Sequence, residues 1–249
     1  MEPPAAVASS DLQYRHRQAI GWVRAGDFDA ALALLHDLVR DSPDTPRYQY
    51  DLIAVLCWRG RHHDCVQRFE RAGFEQTPDY VKMAVAGSAR RTDRAALALR
   101  LYDSVLQHDP DNVEAVIGRA LATAEEGSAD RAMIDLSRFE QSRYAESAVE
   151  YADREPDARA RFDAATLNRL DLTRAHIDTE RRAFLRAVGW YARILRRTPD
   201  HPVARSAMAT SLARAGAPHQ AYRWLAPSAP APAGEAASSS PWVAPSDEA

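Results

Sequence analysis

The sequence is short of several things, and each shortage removes a class of protein. Of its 249 residues only two are cysteines, Cys57 and Cys65, too few for the disulfide framework of a small secreted domain. No apolar run approaches the roughly 18 residues that a membrane-spanning helix needs. Formal charge is nearly balanced at −3, so no bulk field draws the chain to nucleic acid or to an anionic membrane. Residues Met1 to Ser10 (MEPPAAVASS) show neither the basic nor the apolar region of a signal peptide. Lysine occurs once, as Lys82, and every other strong base is arginine. Signatures of catalysis are absent too: there is no Gly-rich phosphate loop, no G-x-S-x-G and no H-E-x-x-H.

Alanine is abundant, at about a fifth of the chain, and it loads the sequence with the best helix former. It is also periodic. One small or apolar residue recurs as Ala19, Ile53, Ala86, Ala120, Ala175 and Ala209, and a second as Ala31, Cys65, Ala98, Ala132, Ala187 and Ala221. Both series advance in steps of 34, 33, 34, 55 and 34 residues. Five residues before the second position stand Gly26, Gly60, Gly127 and Gly216, with Asp93 and Arg182 substituting twice. Four residues after it come Leu35, Phe69, Tyr102, Leu136, Tyr191 and Leu225, and Pro43, Pro78, Pro110 and Pro199 close several units.

Each position has a physical task. The first small residue lets two antiparallel helices, A and B, approach near their crossing. Glycine makes the turn between them at low steric cost, and the second small residue packs into helix A. The large residue fills the gap to the next unit, and proline ends helix B. A unit of about 34 residues built in this way resembles the tetratricopeptide repeat, TPR. The expected fold is an all-α TPR helix-turn-helix solenoid over residues 11–225, with about five full repeats and a truncated sixth. The long step adds 21 residues, expected as an irregular insert at about 145–167, either a degenerate repeat or an extra helix. Residues 1–10 and the Pro/Ala/Ser-rich 226–249 read as disordered tails.

The strongest chemical cluster is Cys57 to Cys65 (CWRGRHHDC), with two thiols and two imidazoles of the kind zinc prefers. A regular hairpin aims them apart, with Cys65 in the helix contact and His62 and His63 at the turn. No metal, no cofactor and no enzymatic activity are therefore expected. Arginine pairs such as Arg90-Arg91 and Arg196-Arg197 are interleaved with acids, so no nucleic-acid stripe is expected either.

In such a solenoid the A helices line the concave face. The phase puts Gln13, His16, Ile20 and Val23 there from the first repeat. The second contributes Arg47, Tyr50, Ala54 and Cys57, with Asp51 and Trp58 beside them, and the third Tyr80, Met83, Gly87 and Arg90. Arg47, Tyr50, Asp51, Trp58, Tyr80, Met83 and Arg90 form the candidate partner-binding set, because arginine and aromatic residues dominate binding hot spots. Tyr50, Asp51 and Ala54 do not supply the basic and amide groups of the clamp with which chaperone-binding TPR proteins hold a C-terminal carboxylate.

Longer stretches of text narrow the resemblance. Tyr50–Arg61 (YDLIAVLCWRGR), Pro78–Val81 (PDYV), Ala89–Arg91 (ARR), Leu99–Asp103 (LRLYD), Ile117–Leu121 (IGRAL) and Leu212–Ala221 (LARAGAPHQA) follow in this order. Together they resemble the periplasmic N-terminal TPR region of the PgaA-type exporters of poly-β-1,6-N-acetylglucosamine, over about Asp27 to Leu225. That resemblance implies a scaffold in exopolysaccharide export, with a polysaccharide deacetylase as protein partner and the polymer as a further ligand, in the periplasm. Nothing after Leu225 alternates like the strands of the family's outer-membrane barrel. Without the export link, the expectation is a cytoplasmic TPR adaptor.

Overall fold

The computed structural model describes residues 5–73, 77–150 and 164–225, and the side chains of 10–73, 77–142 and 164–225. Among these residues every regular element is a helix, and the twelve helices form six antiparallel pairs. They are α1 (Ala5–Ala25) with α2 (Phe28–Asp41), α3 (Pro46–Trp58) with α4 (His62–Ala72), and α5 (Asp79–Arg90) with α6 (Ala95–His108). The second half has α7 (Val113–Glu125) with α8 (Ala129–Glu150), α9 (Ala164–Glu180) with α10 (Phe184–Arg197), and α11 (Pro202–Arg214) with α12 (Pro218–Leu225).

Six equivalent turns join the pairs. Gly26, Gly60, Gly127 and Gly216 have φ of 81, 86, 87 and 86°, and the two substitutes take the same left-handed state, Asp93 at 56° and Arg182 at 59°. At each turn the following residue donates its N–H to the carbonyl five residues back, as in Arg61 to Leu56 at 2.9 Å, Arg94 to Ala89 at 2.8 Å and Ala183 to Asp178 at 2.8 Å. This is the Schellman closure, which satisfies the last carbonyls of a helix and turns the chain back. Starts are fixed as well. Pro46 and Pro202 open α3 and α11, where the missing N–H costs nothing, while Asp27 and Asn112 accept the Ala30 and Ala115 amides of α2 and α7.

Both small series are buried, none of their members being more than 4% exposed. The large series is buried from Leu35 to Tyr191, but Leu225 is 61% exposed. Its task is to fill the gap to the next unit, and α12 is the last helix described. At Tyr102 the fit is tight: a Cβ on Gly118 of α7 would lie 2.2 Å from the ring.

B helices pack on the A helix of the next repeat, and A helices also touch one another, α3 on α5, α5 on α7 and α7 on α9. The A layer is therefore the tighter, inner layer. Continuity is weakest between α8 and α9, where the period breaks. Here α8 extends to Glu150, eight or more residues beyond the other B helices, so that the expected insert at about 145–167 begins within α8 and ends within the first turn of α9, and its middle, 151–163, lies outside the described residues. The tail expectation for 226–249 lies outside them too. At the other end α1 begins at Ala5, inside the ten residues that composition reads as a tail.

Candidate functional site

The inner layer is tied together by side chains reaching from one A helix to the next. Asp51 of α3 is at the centre. Its Oδ2 lies 2.7 Å from His16 Nε2 of α1, and its Oδ1 accepts the Tyr80 hydroxyl of α5 at 2.5 Å. His16 is buried with its ring 5.1 Å from that of Tyr48. Arg47 Nε stands 4.0 Å from Asp51 Oδ2 with a side chain 73% exposed. Burial, and then the hydrogen bond to Asp51, which needs the proton in place, push the Tyr80 phenol well above its usual range. Three repeats thus share one carboxylate. Farther along, Arg90 of α5 grips Glu125 of α7 through two bonds of 3.0 and 2.6 Å, and Arg169 of α9 pairs with Glu114 of α7. Burial opposes the Arg90 charge, but the bonds to Glu125 win and hold its pKa above the ordinary value.

The structure sorts the expected binding residues into two groups. Arg47, Trp58 and Tyr80 present exposed surface, Trp58 at 49% and Tyr80 at 43%, while Tyr50 and Met83 are half-buried on the floor between them. Asp51 is buried and already bonded on both oxygens, and Arg90 is held by Glu125. These two shape the face rather than offer free groups to a partner. Ala54 and Cys57, placed on the concave lining by repeat phase, are buried in the core, because α3 is enclosed by α2, α4 and α5.

The cysteines call for a further correction. Repeat geometry aims their side chains apart, yet Cys57 and Cys65 are joined in a disulfide with their α-carbons 5.3 Å apart, within the normal bridging range. The Gly60 turn lays the first turn of α4 against the last turn of α3, which brings the two sulfurs together. So bonded, neither sulfur is a thiolate ligand. His62 Nδ1 is 3.1 Å from Ser88 Oγ of α5, and burial, helped by the nearby Arg91 charge, lowers its pKa.

A second polar seam, missed from the sequence, runs through the fifth repeat. Asp171, Arg174 and Asp178 of α9 are almost fully buried. Arg174 meets Asp171 at 2.8 Å and Glu140 of α8 at 2.6 Å. Asp171 also receives Arg197 at 2.5 Å, while Asp178 accepts the Trp190 indole N–H at 2.8 Å on one oxygen and forms an ion pair with Arg186 at 2.9 Å through the other. Trp190 has the guanidinium carbons of Arg174 and Arg193 each 5.2 Å from its ring centre. The signal was a spacing of three and four between charged residues, with Arg174 and Asp178 standing where the second repeat has the buried Leu52 and Leu56.

No described helix is long and apolar enough to cross a membrane. No family model matches the chain, and no curated protein matches it. Solved structures do. A tetratricopeptide repeat protein from Parabacteroides merdae superimposes with a TM-score of 0.63 at 15% identity, over 87% of this chain and 78% of its own. A thermophilic TPR protein of Thermus thermophilus matches with a TM-score of 0.51 at 16% identity, over 81% of this chain and 99% of its own. YrrB, described as a TPR protein with an unusual peptide-binding site, matches with a TM-score of 0.51 at 16% identity, over 76% of this chain and 88% of its own. At such identities the likeness carries the fold: the chain is a helical TPR solenoid.

Proposed function

We propose that this chain is a non-enzymatic scaffold that docks a protein partner on the inner face of its first three repeats. The observation that carries the reading is the Asp51 node. By bonding to His16 and Tyr80 it fixes α1, α3 and α5 against one another, leaving Arg47, Trp58 and Tyr80 exposed on rigid helices around a half-buried Tyr50–Met83 floor. Preorganised aromatic and arginine groups bind with little ordering cost.

The resemblance of Tyr50–Arg61 and the later segments to PgaA-type exporters supplies the finer reading. On it, the partner is a polysaccharide deacetylase, the setting is export of poly-β-1,6-N-acetylglucosamine, and Tyr50, Trp58 and Tyr80 are placed to stack on sugar rings of the polymer. The Cys57–Cys65 disulfide supports a periplasmic setting, since such bonds persist in oxidising compartments.

The test is binding of the full chain to the polysaccharide deacetylase of its own genome, repeated with Tyr50→Ala and Trp58→Ala together. Saturable binding weakened at least tenfold by the double change, about 1.4 kcal/mol, is the expected result. A helical chain that does not bind the enzyme refutes the export reading and leaves a general TPR adaptor, with its partner to be sought by capture.

A further inference from the structure

The charge of this chain is segregated in a way its net value hides. Residues 226–249 contain Glu235, Asp247 and Glu248 but no lysine, arginine or histidine, so the whole formal charge of −3 resides in them and the rest of the chain is balanced. The inner face of the first repeats is the opposite. Arg17 and Arg24 of α1 and Arg91 at the end of α5 are exposed and pair with no carboxylate among the described residues, and Arg47 has only the buried, doubly bonded Asp51 nearby.

These cations are ordered by the repeat. Arg24, Trp58 and Arg91 each stand five residues after the first small position, and Arg47 and Tyr80 each six residues before it. Two rows therefore cross the A helices, eleven residues or about 16 Å apart along each axis. On the concave face that stacked A helices form, these rows bound a groove that by repeat phase carries the half-buried Tyr50 and Met83 between cationic and aromatic edges.

We infer that the segment 226–249 of the same chain docks in this groove, as an acidic, proline-rich strand anchored by Trp242; the inference rests on the inner face being the binding face. Charge sign is the first support, and chemistry the second. Trp242 is the one aromatic in the segment, and the rim offers Trp58 and Tyr80 to stack on and arginines for cation–π contact. Reach is the third. Five prolines, Pro227, Pro230, Pro232, Pro241 and Pro245, belong to a composition for which about 3.1 Å per residue is the usual extended rise, which gives the 17 residues from Leu225 to Trp242 a reach of about 50 Å. Going from the sixth repeat back to the second or third crosses three or four A helices, about 24–40 Å at 8–10 Å each. A tethered segment acts at an effective concentration of about 1 mM, so one with an intrinsic Kd near 0.1 mM fills the groove about nine-tenths of the time, and an incoming partner has to displace it.

The test uses a fluorescein-labelled synthetic peptide of residues 226–249, titrated into the full chain and into a full-length tail variant carrying Trp242→Ala, Asp247→Asn and Glu248→Gln. The peptide is expected to bind the tail variant saturably and the unaltered chain about tenfold more weakly, because the resident segment competes. Adding Arg24→Glu and Arg91→Glu to the tail variant is expected to weaken peptide binding at least tenfold. Equal affinity for the unaltered chain and the tail variant overturns the inference, as does binding indifferent to the two charge reversals. Concentration-dependent oligomers that the tail changes dissolve also overturn it, since the segment then occupies a second copy. If the deacetylase binds in a Tyr50- and Trp58-dependent way while the peptide does not bind, the inner-face reading stands and this inference falls; if neither binds, both fall.

Discussion

Tyr80 donates a hydrogen bond from its hydroxyl to Asp51 across 2.5 Å, and with His16 on the other carboxylate oxygen one acidic side chain joins three successive A helices. In a solenoid, where each repeat touches only its neighbours, stability is close to a sum of repeat and interface contributions. A bond that couples three repeats therefore adds cooperativity as well as energy. Removing Asp51 leaves His16 buried without its partner and α5 without its tether. Asp51→Ala is expected to cost about 3 kcal/mol, and Tyr80→Phe, which loses one bond at a half-exposed site, about 1 kcal/mol. Urea unfolding followed by circular dichroism gives both values. Amide exchange in the Asp51 variant should accelerate first in α1, and unchanged protection there would refute the coupling.

The two left-handed residues without glycine are a second quantitative case. Asp93 and Arg182 carry a Cβ at φ of 56 and 59°, a state that costs most L residues about 1–2 kcal/mol. Glycine removes that strain but is freer in the unfolded chain. Asp93→Gly and Arg182→Gly are therefore expected to stabilise by about 0.5–1 kcal/mol each, and Gly60→Ala to destabilise by a similar amount. Thermal midpoints of the three variants check the signs.

Tyr102 and Gly118 test the packing between the third and fourth repeats. An alanine Cβ at 118 would stand 2.2 Å from Tyr102 Cζ and 2.6 Å from its hydroxyl. Since both helices are fixed by their neighbours, Gly118→Ala is expected to cost about 1–3 kcal/mol by overpacking. Pairing it with Tyr102→Leu shortens the offending ring. The double variant should be less unstable than the two single losses add up to, and strict additivity would show that the ring yields freely.

What the sequence made legible follows from the same positions. Helix pairs, turns and buried small residues are dictated locally, by residues at fixed offsets, so even Asp93 and Arg182 could be assigned to their turns from register alone. The inner face was legible as a list of positions but not as bonding. Repeat phase tells which side of α3 carries Asp51; it does not tell that His16 and Tyr80, 35 and 29 residues away, converge on it. Cys57 and Ala54 sit on the same stripe as Tyr50, yet the close approach of α4 and α5 buries them, because phase fixes direction and neighbours decide exposure. The Asp171–Arg174–Asp178 seam was hidden for a related reason. Three charges on the core side of a helix make sense only once Glu140, Trp190 and Arg197 are known to meet them from α8 and α10.

The disulfide is the feature by which the compartment of this chain can be read chemically. It closes a loop of about nine residues, for which the chain-entropy account gives about 2–3 kcal/mol of stabilisation, and it fixes the end of α3 where Trp58 projects. Protein prepared under oxidising conditions and then denatured should show no reactive thiol before reduction and two after it. Reduction, or Cys57→Ala with Cys65→Ala, is expected to lower the unfolding free energy by that amount while leaving the helical spectrum intact, because the Gly60 turn closes through its own backbone bonds. Two reactive thiols in chain drawn from an oxidising compartment would remove the support that the bond lends to a periplasmic setting, and the inner face would have to be read with Trp58 on a looser helix end.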